Sequence, residues 1–266
     1  MKISISSLHL ILLITIIIAF SSIELASSLD QRFEDCKPRD CGNGLIISYP
    51  FWIEKDYCGF PGFKVTCKNN EPNIYAAGYD YIIRDISYAN RSFLVVNPVA
   101  YAACPVPLRN STFTDQSLIT PGSGVQVLSF FYNCTNFSLT SYEKYIYPVN
   151  TSCVTLPDRK LSSFAGFVPA GKSIYDTLTC QSPVNIPVDV DSSLETVGQV
   201  NGYLPLLTKG FTLEWNKSPC DACEASGGYC GIEKSGLSMC FCNDQSQPHL
   251  KNCPPGIHNF LLLLCL

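Results

Sequence analysis

Residues 79–98 read YDYIIRDISYANRSFLVVNP, with β-branched and aromatic residues alternating with polar ones on either side of Tyr88-Ala89-Asn90-Arg91. A period of two predicts an antiparallel hairpin with Asn90 near its tip. Further strand-like runs fall at residues 125–132, 173–179, 186–190 and 211–215. Prolines and glycines recur between them, so a long helix has no room to form. One short helical turn is predicted within residues 203–209, where Gly210 is an acceptable stop. The expected fold is mainly β, built as two small disulfide-rich β modules with little helix. The expected organisation is a first module over 29–104, a polar connection over 105–133, a second module over 134–253 and a short apolar tail over 254–266. The halves differ in cysteine spacing and show no internal repeat.

The chain opens differently. Lys2 precedes an apolar run at residues 10–20, broken only by Thr15, and small residues follow around Leu25-Ala26-Ser27-Ser28. That order predicts a secretory signal peptide over 1–28, cut after Ser28. The run is shorter than the roughly 20 residues a spanning helix needs, and the apolar residues at 260–266 are fewer still, so no membrane span is expected after cleavage. Cleavage removes Lys2 and Glu24 together, so the net charge of −4 is kept and nucleic acid is not an expected partner.

Cysteine usage fits the same compartment. Of 15 cysteines, Cys265 lies alone in the tail, while Cys36, Cys41, Cys58, Cys67, Cys104, Cys134, Cys153, Cys180, Cys220, Cys223, Cys230, Cys240, Cys242 and Cys253 form an even set of disulfide candidates. Each bridge adds roughly 2 to 4 kcal/mol by restricting the unfolded chain, so small cores suffice. Asn90, Asn110, Asn133, Asn136, Asn150 and Asn216 head N-x-[ST] sequons and are glycosylation candidates, Asn90 being the best placed. Cys220-x2-Cys223 and Cys240-x-Cys242 would suit zinc in a reducing compartment, but secretion favours bridges, and no metal or cofactor is expected.

Catalytic chemistry finds little support. Outside the signal only His249 and His258 exist, both near the C-terminus, and His249 beside Pro248 is expected in an exposed loop. Glu54, Asp56, Glu143 and Glu214 could serve a glycosidase pair, but nothing singles them out. Gly122-Ser123-Gly124 lacks the downstream Lys of a phosphate loop. The chain is not expected to be an enzyme.

The densest aromatic stretch is ISYPFWIEKDYCGFPGFKVTC at residues 47–67. Phe51 and Trp52 are adjacent and point to opposite faces of an extended chain, so one is expected inside and the other available. Tyr49, Phe51, Phe63 and the two cysteines are expected to be framework. Gly59, Pro61 and Gly62 are expected to shape the turn between the cysteines. Over residues 36–104 seven basic residues stand against six acidic ones, so counting alone shows no strong basic patch.

CGNGLIISYPFW followed by CGFPGFKVTC and the hairpin resembles the galacturonan-binding domain of plant wall-associated and leaf-rust-resistance-type receptor-like kinases. GFTLEWNKSPCDACEASGGYCGIEKSGLSMCFC, residues 210–242, is similar to the C-terminal module of the same receptors. The six cysteines from Cys220 to Cys253 also resemble an epidermal growth factor-like segment. Spacing alone leaves fifteen connectivities open. That last resemblance implies Cys220 with Cys230, Cys223 with Cys240 and Cys242 with Cys253. The family resemblance implies a secreted plant glycoprotein of the cell wall or apoplast that binds pectic polysaccharide, such as an oligogalacturonide, as a receptor-like ectodomain. It would be membrane-associated if the gene also encodes a longer receptor form. Trp52, Lys55, Tyr57, Lys64, Lys68 and Arg84 are the ligand-binding candidates. Family members commonly continue into a transmembrane helix and a kinase, neither of which is found before Leu266, so no kinase activity is expected of this chain. The competing expectation is a protein- or peptide-interaction module, a soluble partner or decoy of related receptor kinases.

Overall fold

The structure, a computed structural model, describes residues 30–111, 113, 118–135, 146–154, 162–167, 180–190, 202–216, 220–243 and 248–254. Among them the chain is mostly strand and falls into two compact units, Pro38–Ser218 and the stretches on either side of it.

The larger unit holds two antiparallel sheets. The first contains β1 (Val65–Lys68), β2 (Glu71–Ala76), β3 (Tyr79–Ser87), β4 (Ser92–Val96) and β5 (Ile119–Pro121). Its sixth strand, β10 (Phe211–Trp215), inserts between β4 and β5 to give the order β1-β2-β3-β4-β10-β5. The second sheet contains β6 (Val125–Cys134), β7 (Ile146–Pro148), β8 (Ser162–Phe167) and β9 (Val184–Asp189), in the order β7-β8-β6-β9. Phe131 stacks on Phe164 at 5.0 Å, and Cys134–Cys180 closes that side.

The predicted hairpin is β3 and β4, with Asn90 exposed in its turn. The run at 211–215 is β10, those at 125–132 and 186–190 lie within or beside β6 and β9, and the helical turn is α2 (Leu204–Lys209). α2 ends at Gly210, whose φ is +78°. An added Cβ there would lie 2.1 Å from the Val95 carbonyl oxygen, so glycine is needed both for the turn and for the approach of β10 to β4. The run at 173–179 lies outside the described residues.

The expected polar connection over 105–133 is different in the structure. It contributes β5 and most of β6, and three tyrosines anchor its first part. The Tyr79 hydroxyl donates to the Arg109 carbonyl at 2.6 Å, that of Tyr132 donates to Pro107, and Tyr81 bonds the Ser111 hydroxyl. Polarity and a sequon made this stretch look like a linker, while its anchors come from strands distant in sequence. Burial pushes the Tyr81 and Tyr132 phenols well above their ordinary range, so both remain neutral.

The core under the first sheet is aromatic. Phe51 meets Phe93 at 5.1 Å, Trp215 at 5.3 Å and Phe63 at 5.4 Å, each edge to face. Such pairs add to the roughly 1.5 to 3 kcal/mol that burying one large side chain contributes.

The smaller unit is stapled rather than packed. α1 (Gln31–Asp35) is capped by Asp30, whose carboxylate accepts from the Arg32 backbone N–H at 3.0 Å, and Phe33 lies 4.8 Å from Tyr229. α3 (Asp221–Ala225) leads into the hairpin of β11 (Tyr229–Ile232) and β12 (Ser238–Phe241). The bridges are Cys220–Cys230, Cys223–Cys240 and Cys242–Cys253, the pairing that the epidermal growth factor-like resemblance implies. His249 is a half-buried partner of Cys240 in a two-residue bridge rather than an exposed loop residue.

Candidate functional site

Trp52 and Lys64 lie side by side where residues 47–67 fold back on themselves. The Trp52 carbonyl accepts from the Val65 N–H at 2.8 Å and its own N–H donates to the Phe63 carbonyl at 3.3 Å, adding a parallel partner beside β1. Its indole N–H donates to the Phe60 carbonyl at 2.9 Å, which fixes the plane of the ring. The Lys64 ammonium sits 5.3 Å from the centre of that ring. Alternation along the chain explains the arrangement, since Phe51 and Phe63 are buried while their neighbours Trp52 and Lys64 turn outward.

Gly59 is part of the site. Its φ is near −169°, which any residue adopts, so the requirement is space. An added Cβ would stand 2.3 Å from the Pro50 carbonyl oxygen and 2.7 Å from Cδ1 of Trp52. The backbone approaches here closely enough to seat the indole.

The same face continues across the hairpins. Val65 pairs with Ile74 at the end of the β1–β2 ladder, and Lys64 and Tyr75 are the next residues beyond that pair, both exposed. Tyr75 pairs in turn with Asp80 on β3, and at 68% exposure it is a conspicuously open aromatic ring. Sequence reasoning passed over Tyr75, although the alternation in EPNIYA carried the signal that Ile74 is inside and Tyr75 outside. Tyr101 was missed likewise. It is 54% exposed, and the Arg84 guanidinium lies 5.3 Å from its ring centre.

The other candidates stand in different surroundings. The Lys68 ammonium bonds the Asp80 carboxylate at 2.7 Å, and Arg84 bonds Glu71 at 2.6 Å. Partial burial alone would lower the Arg84 pKa, but hydrogen bonds to Glu71 and Tyr101 outweigh it and hold the guanidinium above its ordinary value. Lys64 and Lys55 are exposed and form no ion pair with a carboxylate among the described residues. Tyr57 is half-buried in the 3-10 turn Asp56–Cys58. The structure therefore sets Lys64 against Trp52, leaves Tyr75 exposed on the same outward side of the sheet, and sets Lys68 and Arg84 in ion pairs.

The sulfur atoms of Cys220, Cys223 and Cys230, and those of Cys240, Cys242 and Cys253, cluster closely enough to suggest a metal site. All six belong to the three bridges and offer no thiolate. All fourteen cysteines from Cys36 to Cys253 are disulfide-bonded, with Cys41–Cys67 and Cys104–Cys153 among the bridges. Glu54 is paired with Arg39 at 3.1 Å, and Glu143 and His258 lie outside the described residues.

Residues 36–97 match the wall-associated receptor kinase galacturonan-binding family, and residues 152–245 match the wall-associated receptor kinase C-terminal family. Over 228 residues the chain is 32% identical to the Arabidopsis thaliana leaf rust 10 disease-resistance locus receptor-like protein kinase-like 1.2, covering 84% of this chain and 34% of that protein. Over these two regions the chain is similar to the galacturonan-binding and C-terminal modules of wall-associated receptor kinases. Two further Arabidopsis thaliana members of the leaf rust 10 receptor-like group, 2.8 and 2.5, are 25% and 22% identical over 84% and 85% of this chain. It spans 26% and 36% of their lengths, so the likeness concerns only a minor part of each relative. No solved structure matches it. No helix among the described residues is long and apolar enough to cross a membrane. Trp52, Lys64 and Tyr75 all fall inside the galacturonan-binding match.

Proposed function

We propose that this ectodomain binds a pectic galacturonan in the cell wall, without catalysis, through the face that carries Trp52, Lys64 and Tyr75. The observation that supports it most is the Lys64 ammonium, which has no carboxylate partner among the described residues and lies against the Trp52 ring, with the exposed Tyr75 on the same side of the sheet, all within the residues that match the galacturonan-binding family. The apolar face of a sugar ring stacks on an aromatic side chain, and a uronate carboxylate pairs with an ammonium through a charge-assisted hydrogen bond. The same reading makes the chain a secreted glycoprotein, with Asn90, Asn110, Asn150 and Asn216 exposed as acceptors. Asn133 is 8% exposed and does not suit a glycan, and Asn136 lies outside the described residues.

Retention of the secreted protein on arrayed oligogalacturonides tests the reading. The wild type is retained and released by added salt, because an exposed charge pair is screened. Lys64→Ala and Tyr75→Ala each weaken retention by about tenfold, the size expected for loss of one charge-assisted bond or one stacking contact. No retention on any galacturonan would move the assignment to a protein or peptide partner, such as a related receptor kinase.

A further inference from the structure

The charges on this face are unevenly committed. Lys64, Lys68 and Arg84 all lie on the outward side of the first three strands, as do Glu71 and Asp80. Both carboxylates are engaged, Asp80 with Lys68 at 2.7 Å and Glu71 with Arg84 at 2.6 Å. Glu71 is also the ladder partner of Lys68, so the four groups form an alternating string across the sheet. One cation of the three, Lys64, has no carboxylate among the described residues. Asp80 is the cross-strand partner of Tyr75, which places a fixed negative charge beside the most exposed ring of the face.

Unesterified galacturonan carries a carboxylate on every sugar. On this face one such group could meet Lys64, whereas its neighbours would meet a neutralised string and the Asp80 and Glu71 carboxylates. Like charges brought together this way are unfavourable, and displacing the two acids from their partners costs the ion pairs. A methyl ester removes the sugar's charge, keeps the ring and adds apolar surface for Tyr75 and Tyr101. We infer that Asp80 and Glu71 make this face select galacturonan in which isolated free carboxylates stand among methyl-esterified sugars, over the fully acidic polymer.

This inference rests on the reading of the face as a galacturonan site, and the test separates the two. The probes are α-1,4-linked galacturonate oligomers of one length in three forms: fully acidic, partly methyl-esterified and fully esterified. They are titrated into the full secreted protein and into the Glu71→Gln/Asp80→Asn double variant. Both substitutions are near-isosteric and exposed, and thermal unfolding verifies that the variant is folded. The wild type is expected to bind the partly esterified form most tightly. The double variant, with Lys68 and Arg84 released, is expected to gain about fivefold for the fully acidic form, the scale of one exposed ion pair. Tightest wild-type binding to the fully acidic or the fully esterified form would overturn the selectivity and leave galacturonan binding standing. Preference for the partly esterified form with no gain in the variant would overturn the assignment to Asp80 and Glu71. Failure to bind any of the three forms would remove the proposed function and this inference with it.

Discussion

Gly59 and Gly62 lie three residues apart in the same turn and are held by different physics. Gly62 has a φ of +88° with open space around it, so an alanine there meets only the left-handed penalty of about 1 to 2 kcal/mol. Gly59 is extended but enclosed by Pro50 and Trp52, so an alanine must push the indole or the backbone. Gly59→Ala is therefore expected to lower the thermal midpoint, change tryptophan fluorescence and weaken sugar retention together, while Gly62→Ala lowers stability with retention kept. Equal retention in the two variants would show that the seating of Trp52 does not matter to the ligand. At this scale the sequence was informative where alternation governs. Phe51 inward and Trp52 outward follow from adjacent positions on an extended chain, whereas the ion pairs of Lys68 and Arg84 depend on strand register and were not legible.

β10 shows what local pattern does not carry. Its strand character at 211–215 is plain from FTLEW, but its place between β4 and β5 arises from contacts far away in sequence. Phe211 pairs with Val95 and Leu213 with Phe93, and Trp215 packs on Phe51 and Phe93. A fragment ending at residue 104, the boundary expected from sequence, would leave the β4 edge open and strip Trp215 from the aromatic core. Such a fragment is expected to show no cooperative thermal transition, even with Cys41–Cys67 formed, while a fragment of residues 30–218 retains one. A sharp transition in the shorter fragment would show that the first four strands form an independent domain. The hairpin of β3 and β4 was legible because its contacts are local, and the anchored segment at 105–111 was not, because Tyr79, Tyr81 and Tyr132 reach it from elsewhere.

Across the molecule, sheet order holds the larger unit and disulfides hold the smaller one. The smaller unit depends on its bridges, with Gly228 enclosed by the sulfur atoms of Cys223, Cys240 and Cys253. The cysteine pattern and family resemblance made this arrangement readable from sequence. What they could not supply was the face itself, since the pairings of Trp52 with Lys64 and of Tyr75 with Asp80 arise only through strand register. The most direct test is hydrogen–deuterium exchange of the full-length protein with and without a partly esterified oligogalacturonide. Slowed exchange confined to peptides covering residues 52–84 is expected. Protection centred on residues 220–254, or no protection at saturating oligosaccharide, would contradict it.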